Sequence, residues 1–271
     1  PTNVKHLARI ASSLGTDVDV ELFRFVVEDF YSNRPIYVTA GKSLTTGKSS
    51  KTSLFSGKQW KPEEILDQFV EEGIMFSSGK GIYRFAHDNI LEAAMITRKR
   101  NRARVYLRIG EQLLSKLDEK QLDRYLFTAV RLLNEGADLI PSSNSQKRVT
   151  LAELNLRAGK RSLDNSGFES ARFHFNKGID LLPPNHGRIY TGLSIDLYSS
   201  AAESEYCVGD FVEMEKHCRD VISRPSIPLK EKRRAYTSLM QGLSGQGKGV
   251  EAYNIGVGLL SQLDCLIPKR C

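Results

Sequence analysis

The stretch Tyr83–Leu114, YRFAHDNILEAAMITRKRNRARVYLRIGEQLL, constrains the fold most, because its apolar period changes within a few residues. Ile74–Phe76 and Ile82–Phe85 are short apolar runs on either side of Ser77-Ser78-Gly79-Lys80-Gly81, which predicts a β-hairpin. From Asp88 the spacing is helical: Ile90, Leu91, Ala94 and Met95 share one face. The Asp88 carboxylate can cap the free N–H groups of that first turn. His87 therefore stands where a strand hands over to a helix. An imidazole there can donate a hydrogen bond to an anion and titrates near physiological pH. The plainer alternative for His87 is local capping or packing.

Upstream, Leu7, Ile10, Ala11 and Leu14 give the segment from Val4 to Leu14 one apolar face, and Gly15 stops it. Asp17 or Asp19 can cap a second helix, Val20 to Tyr31, with Leu22, Phe23, Val26, Val27 and Phe30 inward. Pro62 and Glu63-Glu64 open a third helix that stops at Gly73, with Ile65, Leu66, Phe69 and Val70 inward. Three short helices and a hairpin predict a winged helix over 1–100. Its insertion near 32–61 is rich in Gly, Ser, Thr and Lys and reads as a disordered surface loop. Within it, Ile36-Tyr37-Val38 could form a strand and Gly47-Lys48-Ser49 imitates the end of a phosphate-binding loop. That loop needs a glycine five residues before Gly47, whereas Gly41 stands six before it, and no apolar-periodic helix follows Ser49.

The residues Tyr83-Arg84-Phe85-Ala86-His87-Asp88, with Ala93-Ala94 and the later RIGEQLL, resemble the winged-helix end of signal-transduction ATPases of the STAND class. More narrowly, they resemble the large ATPases that join serine/threonine- or histidine-kinase modules to a P-loop core and a helical-repeat arm. In that class a Met-His-Asp motif ends the winged helix, and its histidine approaches the β-phosphate of bound ADP in the closed state. Ala86-His87-Asp88 matches two of its three letters. The resemblance implies nucleotide-sensing roles for His87 and Asp88, with ADP or ATP held by a P-loop core upstream of Pro1 and no cofactor held by this segment itself. A start at Pro1, without a methionine or a signal-peptide pattern, agrees with a piece of a longer chain.

A second resemblance lies further on. Leu154–Pro183 is similar to a tetratricopeptide unit, with Gly159, Gly167-Phe168, Ala171, Phe175, Gly178 and Pro183 at matching places. Small residues at 159, 171 and 178 let two helices approach, Phe175 fills the gap, and Pro183 ends the second helix. Weaker copies run from Ile189 through a Gly209-Asp210-Phe211 turn to about Ser223, and from Lys230 through Gly245–Gly249 to Leu263. Aligned on Ala171, Met214 and Ala252, the units are about 43 and 38 residues apart, longer than the usual ~34. Between the two regions, Arg102–Leu117 and Leu122–Leu139 are amphipathic helices, and Pro141–Ser145 is a polar break. The expected architecture is mainly α: a winged helix over 1–100, linking helices over 101–145, and a superhelical arm of tetratricopeptide-like repeats over 146–271. Such an arm exposes a groove for a protein or peptide, or for another part of its own chain.

Several functions are disfavoured. The sequence holds no complete P-loop, no H-E-x-x-H, no G-x-S-x-G and no kinase-loop motif, so no catalytic residue is assigned. Cys207, Cys218, Cys265 and Cys271 lack metal-ligand spacing and suit reduced cytoplasmic thiols; no metal is expected. His6, His174, His186 and His217 lack partner spacing. No long uncharged apolar run offers a membrane span. The net charge of +7 comes largely from Arg98–Arg108 and Lys230–Arg234, which read as solvated faces. A groove-reading third helix would need cations, yet this one carries Glu63, Glu64, Asp67, Glu71 and Glu72.

The leading expectation is a non-catalytic regulatory fragment of a nucleotide-switched ATPase. Its partners would be the P-loop core, a kinase or other output domain of the same chain, and a protein ligand of the repeats. The alternatives are a nucleic-acid-binding winged-helix regulator using the Arg98–Arg108 cluster, or a freestanding tetratricopeptide scaffold.

Overall fold

Helix-forming periodicity dominates the sequence, and the computed structural model is accordingly mainly helical, with one small three-stranded antiparallel sheet. It describes residues 2–31, 61–95, 99–263 and 265. The Ile36–Val38 run, the Gly41 and Gly47-Lys48-Ser49 positions, Arg98 and Cys271 lie outside the described residues, as does the insertion apart from Lys61. The chain forms two compact units, Pro1–Leu139 and Ile140–Cys271.

In the first unit, α1 (Thr2–Leu14) is followed by a three-residue strand β1 (Asp17–Asp19) and α2 (Val20–Tyr31). Gly15, with φ +131°, makes the reversal between them in a region closed to most side chains. Asp19 caps α2, accepting from the Glu21 N–H at 2.8 Å. Then come α3 (Pro62–Glu71), β2 (Met75–Gly79), β3 (Ile82–Phe85) and the short α4 (Asp88–Ala94). The hairpin turn places Lys80 and Gly81 at positive φ (53° and 76°), the geometry that matches the twist of a tight hairpin. Strand β3 is central, paired antiparallel with both β1 and β2. Register puts Val18 opposite Tyr83 and Met75 opposite Phe85, so all four turn to the buried face. They close over Phe23, Ile65, Leu66 and Phe69.

The same core takes in α5 (Lys99–Lys116) and α6 (Glu119–Glu135) through Tyr106, Ile109, Leu113, Tyr125 and Ala129. The helices read from sequence as a link thus share the apolar core of the elements before them. Their own pairing depends on Gly110, where a Cβ would come within 2.6 Å of Leu133 Cγ. A reciprocal capping box starts α6: Asp118 accepts from the Gln121 N–H, and the Gln121 side chain accepts from the Asp118 N–H.

The second unit is built from three helical hairpins: α7 (Ser145–Asp164) with α8 (Phe168–Leu181), α10 (Thr191–Val208) with α11 (Phe211–Ile222), and α12 (Arg233–Gly245) with α13 (Gly249–Gln262). A single turn, α9 (His186–Ile189), precedes α10. Successive hairpins pack through α8 on α10 and α11 on α12. The close approaches fall on the small residues singled out by spacing. A Cβ on Gly159 would meet the Phe175 ring at 2.3 Å, and one on Gly178 would meet Leu197 Cδ2 at 2.5 Å. Asn144 and Asp210 cap α7 and α11. Gly209 ends α10 in the left-handed region at φ +82°. The third hairpin is the least engaged, since Ala252 alone is fully buried in α13, whereas Val250, Tyr253, Leu260 and Leu263 are exposed.

Candidate functional site

Two-residue alternation along β3 places Tyr83 and Phe85 inward and Arg84 outward. The inward Tyr83 hydroxyl donates to Asp67 at 2.7 Å, and burial together with that carboxylate pushes the phenol up to about 12. The outward Arg84 pairs with Asp17, whose carboxyl it holds below the usual range. The strand ends where the Ala86 N–H donates to the Ile74 carbonyl at 2.9 Å. His87 follows in an extended conformation (φ −147°, ψ 147°), and its carbonyl accepts from the N–H groups of Ile90 and Leu91.

His87, rather than Asp88, is thus the residue that caps α4, and it does so through its backbone with no side-chain cap bond. Asp88 occupies the first helical position. Both side chains are exposed, and neither has a hydrogen-bond or ion-pair partner among the described residues. The helix is shorter than Met95 at helical spacing suggests, because Met95 turns to ψ 149°. Ile90, Leu91 and Ala94 still pack against the core, which fixes the direction in which His87 leaves the sheet. Chemically, this corner offers a donor imidazole and a carboxylate at the surface, neither engaged by a described residue.

The third helix buries Ile65, Leu66 and Phe69 and turns Glu64, Asp67 and Glu71 to the surface. Glu63 holds Arg24 at 2.8 Å. This face carries negative charge where contact with a phosphate backbone would require positive charge.

In the second unit the first helices of the three hairpins are joined by ion pairs. Lys160 on α7 meets Asp196 on α10 at 3.2 Å. Arg234 on α12 makes two close bonds to Glu203, at 2.7 and 2.8 Å, another to Ser200, and a longer contact to Asp196. Residues of α8, the end of α10 and the start of α11 line an open groove of about 500 Å³ between α8 and the α10–α11 turn. Its wall is Phe173, 52% exposed, and Asn176 reaches across to Glu205 Oε1 at 3.2 Å. Glu205 is only 1% exposed, and its other oxygen lies 2.8 Å from His217 Nδ1. Sequence reasoning named Asp210 only as a turn residue and none of the other residues that line the groove. The signal available was the spacing of Glu169, Phe173, Asn176 and Asp180, one aromatic and three polar residues on a single stripe of α8.

Two further histidines are engaged within the second unit. His174, whose imidazole burial biases toward the neutral form, lies 3.2 Å from Asn155 Oδ1. His186 lies 2.8 Å from the fully buried Ser194 hydroxyl, which also accepts from Arg224 at 2.7 Å. A serine closed off in this way cannot reach a substrate. No His, Cys, Asp or Glu cluster among the described residues could hold a metal ion. No described helix is long and apolar enough to cross a membrane. No protein-family model, no curated protein and no solved structure matches the chain.

Proposed function

We propose that this chain is a non-catalytic regulatory part of a nucleotide-switched, cytoplasmic signalling ATPase of the STAND class. In this reading the first unit is a winged-helix module and the second is a tetratricopeptide-like arm. The observation that carries it is the corner at His87: an exposed imidazole without a partner among the described residues, aimed by a strand–helix junction whose both sides are anchored in the core. An exposed imidazole that no described residue engages is available to a phosphate oxygen of ADP held by a P-loop core elsewhere in the polypeptide. Asp88, at the first helical position, complements the helix N-terminus and sets the local field around the ring.

The stacked hairpins support the second half of the reading, since helical-hairpin arrays present extended binding surfaces built from neighbouring units. Ligand binding there biases the nucleotide switch only through contacts that differ between its closed and open states. The nucleic-acid alternative is less well supported, because the exposed face of α3 is acidic. In the full-length protein, His87→Ala is expected to speed ADP release and raise basal output. An unchanged ADP off-rate with unchanged output removes His87 from the switch.

A further inference from the structure

We infer that the groove between α8 and the α10–α11 turn is a docking site for a basic protein segment, taking an arginine or lysine side chain against Phe173 and above Glu205. The inference rests on reading the second unit as a protein-binding arm and names the chemistry of its ligand.

The argument begins with charge. Five carboxylates line the groove, at positions 169, 180, 205, 210 and 213. Three cations oppose them once Lys216, which pairs with Glu213 at 2.8 Å, joins Arg172 and Lys177. Arg172 is already committed, clamped by Glu169 at 3.3 Å and Asp210 at 3.1 Å. Asp180 has no side-chain partner among the described residues. The excess is therefore negative on a chain whose net charge is +7.

Glu205 is the most buried of the five carboxylates. It is buried to 1% exposure in the lining, where a carboxylate is costly unless its charge is balanced. One of its partners, Asn176, is an uncharged amide; the other, His217, carries charge only when protonated. A cation entering the groove adds a favourable field to this carboxylate while both of its partners stay in place. The aromatic wall fits the same occupant: an exposed ring beside carboxylates receives a guanidinium or ammonium on its face while the acids take its N–H donors. At about 500 Å³, the space is of the size that holds ligand-sized groups.

The test is fluorescence anisotropy with the whole chain and three labelled, glycine-spaced peptides: one with arginines, one with citrullines in their place, and one with glutamates. Citrulline keeps the shape and removes the charge. The arginine peptide is expected to bind saturably, to weaken with added salt, and to lose about tenfold or more in affinity with citrulline. The Asp180→Asn/Glu213→Gln double variant and Phe173→Ala, all changes at accessible side chains, are expected to weaken it; Glu71→Gln in the other unit is expected not to. Equal binding of the arginine and citrulline peptides, or equal weakening by Glu71→Gln, overturns the site. Saturable binding of the glutamate peptide alone overturns the chemistry and leaves the arm a protein-binding surface. Absence of binding by all three counts against both.

Discussion

Two glycines inside helices of the second unit, Gly159 and Gly242, are expected to respond with different signs to the same substitution. Replacing a mid-helix glycine with alanine gains about 1 kcal/mol in helix propensity. Against this stands whatever the new methyl strikes. At Gly159 it meets three ring carbons of Phe175, at 2.3, 2.6 and 2.8 Å. Phe175 is fully buried, so its rigid ring can yield only by moving a helix. Overpacking of this kind costs about 1–3 kcal/mol, which makes Gly159→Ala destabilising by up to about 2 kcal/mol after the propensity gain. At Gly242 the methyl meets the terminal Cε and Sδ of Met214, at 2.2 and 2.8 Å. A thioether end swings aside at little cost, so Gly242→Ala is expected to be neutral or stabilising. Amide hydrogen exchange followed by mass spectrometry reads each hairpin separately. Protection should fall in α7 and α8 for the first variant and hold or rise in α11 and α12 for the second. Combining Gly159→Ala with Phe175→Leu, which removes the ring, should cost less than the two changes summed. Strict additivity, or a stabilising Gly159→Ala, refutes the contact argument.

Burial pushes the Cys218 thiol up to about 12, with Glu205 and Glu203 adding to it, whereas Cys207 and Cys265 are exposed. Alkylation at pH 8 should therefore label Cys265 and Cys207 before Cys218, which should react only on unfolding; early labelling of Cys218 contradicts its packing. Burial lowers the pKa of His174 and His186 below 6.5, so the unfolded chain binds more protons than the folded one as pH falls through 6.5. The stability that these neutral rings contribute is complete above 6.5 and is lost towards their folded pKa values. Denaturation midpoints of the second unit should drop between pH 7 and 5, less steeply in His174→Gln; a flat profile sinks the assignment.

Most element positions were legible because they rest on local chemistry. Pro62, Asp19 and Gly209 start or end their helices through groups within a few residues, and the close approaches at Gly159 and Gly178 could be read from small residues at helical spacing. Strand β1 was not legible: three residues carry no period, and Asp17–Asp19 becomes a strand only because Arg84, Tyr83 and Ile82 lie alongside. The cap at α4 was misassigned by one residue because Asp88 has the better capping chemistry, yet the pairing of Ala86 with Ile74 sets where the chain can turn helical. The junction at His87 could be found from pattern alone. The groove could not, since its carboxylates come from two hairpins and meet only after packing.

The graded burial of the three hairpins also has a kinetic meaning. Contacts in the second unit join hairpins that are neighbours in sequence, so forming one closes short loops and can proceed before the others are complete. Loss of order should run in the opposite sense, beginning where least is buried. With Ala252 alone sealed in α13, detaching that helix exposes little apolar surface and leaves the α7–α8 and α10–α11 pairs intact. The last hairpin would therefore breathe at rates the first does not approach. Its amides should exchange earliest in the unit, and a protease would find its first cut there.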